Sequence, residues 1–175
     1  MRLFVEKGVA ATSIRDVARA ARVAEGALYR HYASKDALVR ELFSTHYLGF
    51  GAALAALEAD AKDVRAKLDA MIGEFCRFFD ANRTLFCFLL FVQHGQLTRI
   101  PHDAVTPFDV MRRAVAAGIR GGEVRKRIDP EVATAMVIGL VLQTATSIVY
   151  GRIKGALSLH LPDLSAAAWA VLTAS

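Results

Sequence analysis

Residues 132–151, VATAMVIGLVLQTATSIVYG, contain no charged side chain. As a helix, a run of this length is long enough to cross a bilayer; in water, a helix apolar on every side needs neighbours on every side. Thr134, Gln143, Thr144, Thr146 and Ser147 are scattered through it, which fits a helix enclosed by protein better than one facing lipid. The chain must therefore supply other helices, or a second copy of itself, as cover.

The remainder of the chain reads as further helices. Proline occurs only at 101, 107, 130 and 162, each in a loop or at a helix start, and no β-branched alternating run of strand length occurs. The fold class is all-α. Asp129-Pro130-Glu131 is a start signal of cap, proline and acid, and Gly121-Gly122 is a stop. These and similar signals place helices at about 62–80, 84–97, 104–120, 130–152 and 163–173.

Shorter helices precede them. Arg2–Lys7 is a stub ending at Gly8, too short to hold alone, so Leu3 and Phe4 must pack on the helices after it. Such a stub is compatible with a helix start before Met1. Ser13-x-x-Asp16 opens a second helix with a capping-box pair, and Ile14, Val17 and Ala18 give it an apolar face. A break at Ala21–Val23 leads to a third helix, about 24–31, and Ser34 caps a fourth, about 34–50, with Asp36 in its first turn. The expected organisation is a three-helix head, residues 1–45, and a larger helical body, residues 46–175.

Composition narrows the functional classes. An apolar fraction of 54 % with mean hydropathy +0.33 excludes disorder and leaves apolar surface for a partner. The net charge is +5, and residues 1–47 hold eight Lys/Arg against five Asp/Glu. A basic head favours a polyanion. Two cysteines, Cys76 and Cys87, build no disulfide framework, and no signal sequence is visible, so a cytoplasmic location is expected.

The stretch VAEGALYRHYASKDAL, residues 23–38, concentrates hydroxyls and cations behind a small-residue helix start. Two short helices, a tight break and a third helix opening Ala24-Glu25-Gly26-Ala27 have the spacing of a helix-turn-helix. Small residues let the helix end approach the floor of the major groove. Tyr29, His31, Tyr32 and Lys35 then follow where phosphates would lie. The plainer alternative is that Tyr29 and Tyr32, three apart, face the core with Leu28.

The segment TSIRDVARAARVAEGALYRHYASKDALVREL, preceded by LFVEKGVAA, resembles the N-terminal domain of the tetracycline-repressor (TetR) family of bacterial regulators over roughly residues 2–43. The resemblance implies an all-α homodimer with a variable ligand-binding body, typically a repressor that leaves a pseudo-palindromic operator when a small molecule binds. By position it implies phosphate contacts for Thr12 and Arg15, base contacts for Ala24, Glu25, Gly26 and Ala27, and a phosphate grip for Tyr29, His31 and Lys35. Arg30 sits between these and serves either role. Two residues depart from the family pattern. Arg22 stands where glycine is frequent, which implies backbone strain but adds a charge near the phosphates. Glu25 replaces a basic or polar residue; a carboxylate accepts from cytosine N4 and is repelled by phosphate. The first helix also lacks the basic arm that many members place ahead of it.

In the body, MIGEFCRFFDANRTLFCFLLF, residues 71–91, places Met71, Phe75, Phe78 and Phe79 at helical spacing, and Phe88 and Phe91 on the next helix. Any one of these is as well explained by a hydrophobic core. Six phenylalanines between 75 and 91 nevertheless suggest an aromatic-lined cavity for an apolar or aromatic effector. Met111 and Met136 extend that lining, and Glu74, His94 and Gln143 are the polar groups expected to orient the ligand, although Glu74 has Arg77 and Arg83 as surface partners. Gln93 is a further candidate.

No metal motif, phosphate loop or nucleophile constellation occurs. Neither enzyme activity, a metal nor a cofactor is expected, and Cys76 and Cys87 read as buried thiols rather than redox sensors. Arg125-Lys126-Arg127 reads as a solvated turn. The last two helices carry the dimer. Ala135, Gly139, Leu142, Thr146 and Tyr150 on one, with Trp169 and Leu172 on the other, are the expected contacts of a four-helix interface. An effector that prefers one body conformation would then alter the separation of two reading heads through the fourth helix. Two readings compete: an effector-independent DNA-binding protein with a filled body, and a membrane-associated protein using residues 132–151 as a span.

Overall fold

The computed structural model describes residues 1–60 and 62–174, and no strand occurs among them. The helices are α1 (Arg2–Ala11), α2 (Ile14–Ala21), α3 (Glu25–His31), α4 (Lys35–Asp60), α5 (Val64–Ala81), α6 (Arg83–Gln96), α7 (Pro107–Gly121), α8 (Pro130–Val149) and α9 (Leu161–Thr173). Short 3₁₀ turns follow α6 at Leu97–Arg99 and precede α9 at Leu157–His160. The chain folds into two compact units: Met1–Gly49 with Arg83–Ala104, and Phe50–Asn82 with the chain from Val105 on. Helix α6 thus groups with the N-terminal helices.

Local chemistry sets most boundaries. Before α2, the Ser13 hydroxyl accepts from the Asp16 N–H at 3.1 Å while Asp16 accepts from the Ser13 N–H at 3.1 Å, a closed capping box. Thr106 and Asp109 form the same box at α7, with Pro107 behind the cap. Asp129 opens α8 by accepting from the N–H groups of Glu131 and Val132 at 2.7 and 3.2 Å. Gly122, at φ 79°, ends α7 in the left-handed conformation. The expected end of α1 at Gly8 is a break at φ 80° and ψ 160°, after which helical bonding resumes to Ala11.

Helix α4 runs to Asp60, past the expected end near residue 50. The alanine-rich stretch after Gly51 propagates the helix readily. Gly51 itself is a steric necessity, since a Cβ there would lie 2.9 Å from the Val105 carbonyl oxygen, in front of α7.

In the first unit, Phe4 of α1 meets Phe88 of α6 at 5.9 Å between ring centroids, and Ile14, Val39 and Phe43 are buried. In the second, Leu68, Met71, Ile72 and Phe79 of α5 form the centre with Val110 and Val115 of α7 and Leu164 and Leu172 of α9. Each such side chain contributes on the order of 1.5–3 kcal/mol by leaving water. Asp80 accepts from the N–H groups of Leu157 and Ser158 at 2.8 and 3.0 Å, fixing the turn before α9 to the end of α5.

Helix α8 departs from the expectation of cover all round. Ala133, Val137, Val141, Ala145 and Ile148 are buried toward α7 and α9, whereas Val132, Met136 and Tyr150 are 48 %, 44 % and 63 % exposed. The reason is geometric: its neighbours in the chain lie along one side. Pro130–Val149 is also the helix, among the described residues, that is long and apolar enough to cross a membrane by length and composition.

Candidate nucleic-acid interface

Helices α2 and α3 form the expected helix-turn-helix, and its turn is closed at Arg22. Arg22 adopts φ 58° and ψ 39°, the one non-glycine residue at positive φ among the described residues. The Val23 N–H donates to the Ala18 carbonyl at 3.0 Å, so the turn has the hydrogen bonding of a glycine-ended helix without its glycine. A side chain in that conformation costs on the order of 1 kcal/mol.

Helix α3 contributes no buried residue to the core. Ala24, Glu25, Gly26, Tyr29, Arg30 and His31 are exposed, and Ala27 is half-buried. Tyr29, at 52 % exposure, does not face the core as the plainer alternative required. A Cβ at Gly26 would meet nothing within 4 Å. The fold therefore has no need of a glycine there, although glycine lowers the stability of a helix interior. Arg15 of α2 is also exposed, and its Nε lies 3.8 Å from a carboxylate oxygen of Glu25.

Two residues expected at this surface are committed elsewhere. Thr12 is 1 % exposed, and its hydroxyl donates to the carbonyls of Gly8 and Leu3 at 2.8 and 3.2 Å. Lys35 directs its Nζ at the Val9 and Ala10 carbonyls, 2.6 and 3.2 Å away, and so ties the first turn of α4 to the end of α1. Beside it the Ser34 hydroxyl accepts from the Ala37 N–H at 3.1 Å, and Asp36 pairs with Arg99 at 2.5 Å.

The expected effector-binding residues fall into several places. Met71, Phe79 and Met111 are core side chains of the second unit, Met71 and Phe79 with no measurable exposure. Phe75 and Phe78 are half-buried and brought together by Phe50 of α4, at 5.8 and 4.7 Å. Phe50 was not among the expected residues; the signal in the sequence was its place between Gly49 and Gly51 in an otherwise alanine-rich helix. Phe88, Phe91 and His94 belong to the first unit, with Phe88 buried against Phe4 and Phe91 and His94 exposed. Glu74 pairs with Arg77 at 2.5 Å. Met136 and Gln143 are exposed on α8.

The expected dimer contacts divide similarly. Ala135 and Tyr150 are exposed, Gly139, Leu142 and Thr146 are half-buried, and a Cβ at Gly139 would meet open space. Trp169 carries the Arg65 guanidinium over its ring at 5.4 Å, toward α5, and Leu172 is a core residue of its own chain. Burial pushes the Cys76 thiol up to about 11, with Asp80 adding to it, and burial also raises Cys87. Burial thus disfavours the thiolate at both sulfurs. Arg125 is not a free turn residue, since its guanidinium donates to the Ala174 carbonyl at 3.1 Å; Lys126 and Arg127 are exposed.

Comparison with known proteins agrees with this geometry. Residues 1–42 match the family model described as bacterial regulatory proteins of the tetR family. The transcriptional repressor KstR2 of Rhodococcus jostii is 27 % identical over 136 residues, 75 % of this chain and 67 % of that protein. KstR2 of Mycobacterium tuberculosis is 39 % identical over 80 residues, 45 % of this chain and 38 % of its own length. Its structure, described as a ketosteroid transcriptional regulator, superposes with a TM-score of 0.70 over 99 % of this chain and 90 % of that one, at 16 % identity. The regulator FadR of Bacillus subtilis, solved in complex with stearoyl-CoA, superposes at 0.79 over 97 % and 94 %, at 17 % identity. The first 42 residues, which carry the helix-turn-helix, are thus similar to the bacterial regulatory proteins of the tetR family.

Proposed function

We propose that this protein is a cytoplasmic transcriptional repressor that binds a pseudo-palindromic operator as a homodimer and releases it when a small apolar or aromatic effector binds. The observation that carries the reading is α3: a helix with no buried residue, glycine where the fold needs none, and Tyr29, Arg30 and His31 exposed behind it. Such a surface fits the major groove, with Arg15 and Arg22 near the flanking phosphates. Ala24, Glu25, Gly26 and Ala27 are the base-reading positions.

Homodimerisation is supported by the outer stripe of α8. Val132, Ala135, Met136, Gly139, Gln143 and Tyr150 recur at helical spacing without a charge. A second copy related by a two-fold axis would lay the same stripe against it and set two α3 helices about one turn of DNA apart. The effector class is supported by the Phe50, Phe75 and Phe78 cluster in the second unit, by the stearoyl-CoA bound in the FadR structure and by the description of KstR2 as a ketosteroid transcriptional regulator. An effector reverses occupancy from 1:99 to 99:1 only if it prefers one conformation by about 5.5 kcal/mol.

The test is selection of duplexes from a random pool by the purified protein, followed by release with steroid and acyl thioester probes. Enrichment of an inverted repeat supports the reading. Recovery of the unselected pool contradicts it.

A further inference from the structure

Between Ser13 and His31 the helix pair carries four arginines, at 15, 19, 22 and 30, and two acids, Asp16 and Glu25. Asp16 is closed into the α2 cap, accepting from the Ser13 N–H and hydroxyl at 3.1 and 2.7 Å. Glu25 closes no such box. The residue before α3 is Ala24, which makes no side-chain cap bond. Glu25 instead reaches across to Arg15 on α2, where Nε and Oε2 are 3.8 Å apart and the side chains are 78 % and 45 % exposed. An ion pair so exposed contributes little to stability, and it opens readily. Its position next to Gly26 makes it the acid that meets whatever α3 approaches.

In the major groove guanine and thymine offer acceptors, whereas cytosine N4 and adenine N6 offer N–H donors. A carboxylate only accepts. Against a donor it gains a charge-assisted hydrogen bond. Against O6, O4 or N7 it is an unpaired anion in a groove flanked by phosphates. Arg15 is tied to the same choice. While Glu25 holds it, its charge is neutralised toward phosphate; once Glu25 turns to a base, the guanidinium is free for the backbone.

We infer that Glu25 is a specificity-determining residue: it reads an exocyclic amino group, cytosine N4 foremost, and restrains Arg15 on duplexes that offer no such donor. The inference rests on the proposed reading of α2 and α3 as the DNA-reading pair. It makes the carboxylate a device that lowers non-specific affinity more than specific affinity.

The experiment compares wild type, Glu25→Ala, Glu25→Gln and Arg15→Ala/Glu25→Ala on the duplex that wild type enriches from a random pool, on versions substituted at each cytosine, and on scrambled duplex. Glu25→Ala is expected to bind scrambled duplex about tenfold more tightly and to lose about tenfold in preference for cytosine at one position of each half-site. In the Arg15→Ala background the gain on scrambled duplex disappears. Glu25 is exposed, so helix content and melting serve as the folding control, and Glu25→Gln, which keeps the shape, carries the test if the alanine variant is impaired. Unchanged cytosine preference and unchanged scrambled-duplex affinity in both single variants overturn the inference while leaving the DNA-reading pair standing. Failure of wild type to enrich any sequence overturns the pair itself.

Discussion

Arg22 and Gly26 each hold a backbone choice that the isolated fold would not make. Arg22 sits at φ 58° where glycine is free of strain, so Arg22→Gly is expected to raise stability by about 1 kcal/mol, about 2–4 °C in melting temperature, while removing a cation from the candidate DNA surface. Gly26→Ala fills open space in a helix and is expected to stabilise by up to about 1 kcal/mol. If α3 enters the groove, the same methyl weakens binding to the selected duplex by about tenfold or more. Thermal melts paired with binding curves check both, and a Gly26→Ala variant with unchanged affinity counts against close approach at that position. Lys35 makes the opposite case. With its ammonium on the Val9 and Ala10 carbonyls, Lys35→Met is expected to lower stability by about 1–2 kcal/mol and to leave the salt dependence of DNA binding almost unaltered. Tyr29→Phe should act mainly on binding. The buried Cys76 thiol titrates higher folded, at about 11, than at its unperturbed 9.0. It therefore contributes stability that is complete below about pH 9 and is lost as pH rises toward 11. Alkaline denaturation of wild type and Cys76→Ala, measured over that window, checks the sign: the variant should lose less.

Among the elements, those with caps two or three residues apart were legible from sequence because both partners of the bond lie in one short segment. Ser13 with Asp16 and the Asp129-Pro130-Glu131 start are of this kind, as is the Gly122 stop. The features that were not legible are long-range. Lys35 reaches back to Val9, Glu123 accepts from the Val64 N–H at 3.3 Å, and Asp80 fixes the turn before α9. None of these pairings leaves a local signature, so in sequence Lys35 is indistinguishable from a free cation. Helix α8 shows the same limit in another form. Its apolar composition is plain, but which side stays open depends on where α7 and α9 lie. The open side makes a prediction of its own: Met136→Glu or Gly139→Arg should convert the proposed dimer to monomer in analytical ultracentrifugation with little change in helix content. A monomeric wild type at micromolar concentration contradicts the proposed interface.

For the molecule as a whole, the fold class and the helix-turn-helix are legible in periodicity, caps and one motif-dense segment. The grouping of 83–104 with the N-terminal helices is not, because it depends on contacts such as Phe4 with Phe88 that join residues far apart in the chain. That grouping also assigns Phe88, Phe91 and His94 to a different unit from the aromatic residues of α5, with which sequence spacing joins them. The central claim is that an exposed α3 reads duplex DNA, and selection from a random duplex pool tests it most directly. The account predicts enrichment of an inverted repeat whose half-sites lie about one helical turn apart, bound by two chains. A pool that emerges unenriched, or a motif unaffected by substitution of both Gly26 and Glu25, would contradict it.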